Sequence, residues 1–185
     1  DTVLSSNFFN ILNKSINEID SFAVVSPKIN GFYKDENINK SGNLSLIKFY
    51  YNKLFFHINF EKKKSQNISQ VFFVSGAIML IDKDNTYNKG IRVDENIFMF
   101  FEEDDFFHQC FKNKKKIYLI NNLRADHYDG SINDKTLKYD CFKKWHWEWS
   151  KFYFLNKHYN TILISFIALK SILKFSIKIL IFYSI

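Results

Sequence analysis

An α/β domain is the fold class this 185-residue sequence predicts, and three observations point to it. Phe8, Leu12, Ile16 and Ile19 recur at three- and four-residue spacing and lead into the short apolar run 22–26, a helix followed by a strand. The same order returns where Phe106, Phe107, Cys110 and Phe111, again at helical spacing, precede the apolar run 117–120. A hydrophobic share of 46%, with 19% aromatic residues, supplies the core of one domain and excludes disorder as the default.

Taken in order, Ser5 or Ser6 can cap the first helix, and Pro27 stops the strand behind it. Residues 30–43 are polar and contain Gly31 and Gly42, a loop; Ser45 and Lys48 then lead into Phe49-Tyr50-Tyr51, a strand or short helix. Residues 61–70, with Lys62-Lys63-Lys64, read as a solvated loop. The run 71–81 is apolar except at Ser75, Gly76 and Ala77, where small residues let another group approach the backbone. A turn at Asp82-Lys83-Asp84-Asn85, then Gly90 and Val93-Asp94-Glu95, leads to four carboxylates, Glu102 to Asp105, set among aromatics at or just before a helix N-terminus. Two unit charges about 4 Å apart repel by roughly 1 kcal/mol in water and roughly 4 kcal/mol near a protein surface. At the edge of a core such a cluster requires a cation, a helix N-terminus or a raised pKa. Lys114-Lys115-Lys116 precedes the second strand, and a polar loop holding His127, Gly130 and Ser131 follows it.

The last third is different. Trp145, Trp147 and Trp149 alternate beside His146, and residues 161–185 are mostly Ile, Leu and Phe, with Lys170, Lys174 and Lys178 four residues apart. A spanning helix gains roughly 0.3 to 0.6 kcal/mol for each large apolar residue and loses roughly 2.5 to 3.5 kcal/mol for each central lysine. Those sums nearly cancel, so the expectation is a helix lying in the membrane interface with the tryptophans at headgroup depth. The alternative is an apolar helix packed on a part of the protein missing from this sequence. The domain division read from this change is 1–159 and 160–185.

A formal charge of +7 permits contact with anionic lipid, nucleic acid or a sugar nucleotide without choosing among them. Cys110 and Cys141 have no metal-type spacing and no secretory leader is evident, so a reduced, cytoplasmic setting is expected. Because the chain starts at Asp1 and not at Met, it is expected to be part of a longer protein.

The order of Val74-Ser75-Gly76-Ala77-Ile78-Met79-Leu80-Ile81, Gly90 with Val93-Asp94-Glu95, the run from Phe98 to Asp105, Lys116-Ile117-Tyr118-Leu119-Ile120 and Ala125-Asp126-His127 resembles the carboxyl-terminal half of the family 2 inverting glycosyltransferases, the rhamnosyltransferase-like branch in particular. The tail from His146 to Phe154, with Lys157-His158-Tyr159, is similar to bacterial members that build surface polysaccharide. The resemblance covers most of residues 1–159, and its strength lies in the order of the motifs.

The resemblance implies a GT-A fold, a Rossmann-like three-layer sheet incomplete at its amino-terminal side. It implies transfer from a nucleotide-sugar donor to a glycan or lipid-linked acceptor, by an enzyme peripheral to the inner membrane and without nucleic acid as partner. In such a displacement a base removes the acceptor proton as the oxygen attacks the anomeric carbon. The family usually has Glu-Asp-x-Asp at the acid cluster, and its second position is the base; here that position is Glu103, with Glu102 and Asp105 in support. Gly76 and Ala77 would leave room for the acceptor sugar and Asp94 would bind its hydroxyls; a turn-capping role for Asp94 is the competing account. Asp1, at the end of a segment like Asn-Pro-Asp-Thr, and His127 would ligate Mg²⁺ or Mn²⁺. Two other classes remain open. One is a non-catalytic remnant whose acids only stabilise a helix, at roughly 0.3 to 1 kcal/mol each. The other is a basic, aromatic nucleic-acid binder, which the acids and apolar tail argue against.

Overall fold

The structure, a computed structural model, describes residues 2–31, 67–128 and 136–183. The expectations for Asp1, for the run Phe49-Tyr50-Tyr51, for Lys62-Lys63-Lys64 and for Gly130 and Ser131 lie outside the described residues. In chain order come β1 (Thr2–Leu4), α1 (Phe8–Asn17), β2 (Val24–Gly31), β3 (Ile68–Val71), β4 (Leu80–Ile81), α2 (Glu102–Lys112), β5 (Ile117–His127), α3 (Leu137–His158) and α4 (Thr161–Tyr183), a mixed α/β set. They divide into two compact units: Asp1–Val93 with Glu103–Asp134, and Asp94–Glu102 with Lys135–Ile185.

The first unit is organised by β5. Along one edge β2 runs parallel to it, from Val24 opposite Ile117 to Gly31 opposite His127. The other edge is shared by two antiparallel strands, β3 against residues 117–120 and β1 against residues 125–127. A short β4 closes the far side of β2, pairing only with Val24 and Val25. Successive strand residues point to opposite faces. Val25, Tyr118 and Ile120 pack with Phe8 and Ile19 and carry α1; Val24 and Ile117 pack with Phe106, Phe107 and Cys110 and carry α2. Helices therefore cover both faces of the mixed sheet.

Several sequence expectations change here. Pro27 does not stop β2, which runs on to Gly31. Proline lacks the donor a strand needs, but by residue 27 β4 has ended, and a bulge falls between Pro27 and Lys28. The bulge places three extra residues of β5, 121–123, opposite none of β2. An odd insertion reverses the alternation, so Leu123 and Ala125 return to the α1 face beside Tyr118 and Ile120. For the same reason β5 continues to His127, and the expected polar loop after Ile120 is strand instead. The end of the expected 61–70 loop is β3, whose Ile68 is buried opposite Ile120. Neither Ser5 nor Ser6 caps α1 with its side chain: Asn7 holds the N-cap position, and the Phe8 amide donates to the Ser5 carbonyl at 3.0 Å.

The turn at Asp82 forms as expected. Its carboxylate accepts from the amides of Asp84 (2.9 Å) and Asn85 (3.1 Å). A short 3₁₀ turn, Tyr87–Lys89, ends at Gly90 with φ 78°, a left-handed conformation that costs a residue without a Cβ nothing. Cys110 is buried, and burial pushes its thiol up to about 12, whereas Cys141 is exposed.

In the second unit, the Thr136 hydroxyl caps α3 by accepting from the Tyr139 amide at 3.3 Å. Successive residues on a helix are about 100° apart, so alternate tryptophans fan around it. Trp147 turns inward against Phe100 and Phe101, with ring centroids 5.3 and 5.1 Å away, while Trp145 and Trp149 are exposed. The buried Ser150 hydroxyl donates to the Met99 carbonyl at 2.7 Å. Helix α4 packs on α3 and buries Ile167. Among the described residues no helix is long and apolar enough to cross a membrane.

Candidate functional site

The acid cluster begins with a strained turn. Phe100 and Phe101 have φ of 64° and 66°, a left-handed conformation costing an ordinary L-residue about 1–2 kcal/mol. Phe101 is held there by burial against Trp147 and Phe154, and full burial of a phenylalanine contributes about 1.5–3 kcal/mol, enough to offset the strain. The chain enters α2 abruptly as a result, and Glu102, Glu103, Asp104 and Asp105 make up its first turn. The first-turn amides of a helix have no acceptor within it, and together with the macrodipole they favour negative charge, the stabilisation the sequence required.

Within the first unit the acids are not equivalent. Asp105 is fully buried and accepts from Gln109 Nε2 at 2.7 Å. The same Gln109 amide donates to the Arg92 carbonyl (2.8 Å) and accepts from the Arg92 amide (3.2 Å), tying the acid helix to the chain at residue 92. Gln109 was not singled out by sequence, although its place four residues after Asp105 is the spacing at which helical side chains meet. Glu103 is half-buried and its side chain lies over Gly76. A Cβ on Gly76 would stand 2.6 Å from Glu103 Cγ and 2.8 Å from Cδ, a clash. The structure thus brings together two residues named from sequence, and the space at Gly76 is taken by Glu103 itself. Ala77 follows in the same turn, its amide donating to the Ser75 hydroxyl at 3.3 Å.

Asp94 belongs to the second unit and its oxygens are engaged there. Oδ1 accepts from the Asn96 amide (3.0 Å) and side chain (2.9 Å); Oδ2 accepts from Lys157 Nζ (2.6 Å) and the Tyr153 hydroxyl (3.2 Å). Burial raises its pKa, but the hydrogen bonds from Lys157 and Asn96 and the charge of Lys157 outweigh that and hold the carboxyl at about 2. This geometry is that of the turn cap, extended by an ion pair. Glu102, half-buried, also belongs to this unit.

His127 ends β5, flanked by Thr2 and Gly31. Its Nδ1 is buried without a hydrogen-bond partner among the described residues. Asn30, Arg124 and Asp126 form a chain on the other face of the strands: Arg124 Nη1 donates to Asn30 Oδ1 (3.2 Å), and Asn30 Nδ2 donates to Asp126 Oδ1 (3.3 Å). Sequence reasoning passed over this trio, since only the β2–β5 register brings it together. A hard divalent ion takes about six oxygen-rich ligands. Among the described residues no three His, Cys, Asp or Glu side chains converge, and Asp1 lies outside them. The imidazole of His127 is a single donor, too few to hold Mg²⁺ or Mn²⁺ by itself.

Helix α2 passes through four residues into β5, and its Phe106, Phe107 and Cys110 pack with Val24 and Ile117 at the starts of β2 and β5.

No family model, no curated protein and no solved structure matches this chain.

Proposed function

We propose that the chain carries the acceptor and base side of an inverting glycosyltransferase of GT-A type, moving a sugar from a nucleotide-sugar donor to a glycan or lipid-linked acceptor. One observation carries the reading: Glu103, in the first turn of α2, lies against Gly76, so two of the motifs that bear the resemblance meet in space.

In this mechanism the Glu103 carboxylate takes the proton of the acceptor hydroxyl. The oxygen forms its bond to the anomeric carbon from the face opposite the leaving group, and the bond to the nucleoside diphosphate breaks with its electron pair going to phosphate. Asp105, buried and bonded to Gln109, fixes the helical turn from which Glu103 projects. A divalent metal, if bound, would neutralise charge on the departing diphosphate; the resemblance gives His127 as one of its ligands, and no step above depends on it. Replacing the family's aspartate by Glu103 lengthens the base by one methylene, and the bare α-carbon of Gly76 accommodates that length.

The test is transfer of sugar from nucleotide-sugar donors to lipid-linked acceptors. Glu103→Gln should lower kcat by about 10²–10⁴, the usual contribution of a general base, and leave donor binding intact. Full activity in Glu103→Ala would exclude the assignment. The second reading, a non-catalytic remnant, is favoured by the structural engagement of Asp94 and Asp105. It predicts no transfer and no nucleotide-sugar binding by the unaltered chain.

A further inference from the structure

The second unit carries a surface that the transferase reading does not use. On α4, Ile162, Phe166, Leu169, Leu173 and Ile177 are all exposed, Phe166 by 67%. Their spacing of three and four residues puts them on one helical face. Monomeric proteins usually scatter such residues singly. Helix α4 is nevertheless anchored, because Ile167 is buried and the helix packs on α3. On α3, Phe142, Trp145 and Trp149 stand at i, i+3 and i+7 and are exposed, Trp145 by 66%. Amphipathic aromatic rings of this kind favour the headgroup level of a bilayer.

Charge selects the occupant. The segments Leu137–His158 and Thr161–Tyr183 hold eight lysines and two acids, Asp140 and Glu148. Lys151 is buried beside Glu148 and Lys157 pairs with Asp94, while Lys138, Lys144 and Lys170 are exposed, and α4 holds no acid. A second copy of this chain would present the same basic surface and be repelled. An anionic surface with an apolar interior satisfies both features. We propose that the second unit docks on an anionic phospholipid bilayer, the exposed face of α4 entering the acyl boundary while lysines of α3 and α4 meet the headgroup phosphates. An interfacial helix of this type lies in the plane of the surface. The docking rests on exposure and charge in this unit and is independent of the chemistry assigned to Glu103.

The experiment is co-sedimentation of the full chain with vesicles of phosphatidylcholine alone and of phosphatidylcholine with phosphatidylglycerol. Binding is expected to be stronger to the anionic vesicles. Phe166→Ser with Leu173→Ser, both exposed positions, should weaken it roughly a hundredfold. Replacement of the exposed Lys170, Lys170→Glu, should weaken binding to the anionic vesicles about tenfold and leave binding to neutral ones unchanged. In the unaltered chain, brominated lipid should quench tryptophan emission. The proposal is overturned if the chain stays in the supernatant with both vesicles, if the double serine variant binds as the unaltered chain does, or if brominated lipid leaves the emission unchanged. A dimer in sedimentation velocity that the double serine variant disperses, with no vesicle binding, would make the face a contact between copies. Transferase activity is read separately, so failure of either proposal leaves the other standing.

Discussion

At the scale of single residues, Gly76 illustrates how much a sequence says about contact. A run of small residues inside an apolar stretch announced a close approach, and the approach exists. What was not legible was the visitor: Glu103 lies 27 residues further on, and only the packing of α2 brings it over the Gly76 α-carbon. Gly76 does not have a positive φ, so its role is space, unlike Gly90. Gly76→Ala should therefore act through Glu103. Overpacking costs about 1–3 kcal/mol, and the low end is expected here because the end of the Glu103 side chain can swing aside. Truncating that side chain at its Cβ removes the clashing atoms, so Glu103→Ala in the Gly76→Ala background is expected to recover at least about 0.5 kcal/mol, the lower range for residues in contact. Urea denaturation of the two single variants and the double variant gives the coupling directly; strictly additive losses would mean that the two residues do not touch.

At the scale of elements, α1, α2 and the tail helix were legible, α3 was not, and the strand ends were hidden for a reason seen in β5. Periodicity located α1 and α2, because a helix on a sheet shows one apolar stripe whatever its partner. The strand 117–120 was visible as an unbroken apolar run. Its continuation was hidden by Asn121, Asn122, Arg124 and Asp126, which read as loop. In the structure those polar residues lie beside the buried Leu123 and Ala125, and the three-residue bulge opposite β2 shifts the alternation that a period-two reading depends on. Pro27 misled in the same region, since its cost depends on whether a neighbour needs its missing amide. The continuation has a measurable consequence. Leu123 is fully buried in the α1 cluster, so Leu123→Ala should cost about 2–5 kcal/mol, as large-to-small core changes do. A surface loop at that position would lose less than about 0.5 kcal/mol. Chemical denaturation at neutral pH separates the two values.

At the scale of the whole molecule, the acid response of the chain isolates one ion pair. Asp94 was read from sequence as either a sugar contact or a turn cap; the cap to Asn96 is local, but Lys157 lies 63 residues away and could not be inferred. Its folded pKa of about 2 is depressed from 3.8. A depressed carboxyl adds stability that is full above the unfolded value and disappears as pH falls through the folded one. Each pKa unit corresponds to about 1.36 kcal/mol, and because the Lys157 side chain is about a third exposed (32%), solvent screening reduces the contribution to roughly 1–2 kcal/mol. Every other carboxylate titrates as well, and a chain with a formal charge of +7 at neutral pH becomes still more positive and repels itself in acid. The contribution of Asp94 must therefore be read as a difference between two proteins. Asp94→Asn should be less stable by roughly 1–2 kcal/mol at pH 7, keep most of that deficit at pH 4, and approach the unaltered chain as pH falls toward 2, because protonated Asp94 no longer attracts Lys157. Denaturant midpoints of both proteins at pH 7, 4, 3 and 2 measure this, and a deficit that stays constant down to pH 2 would show that the aspartate acts through its hydrogen bonds and not through its charge.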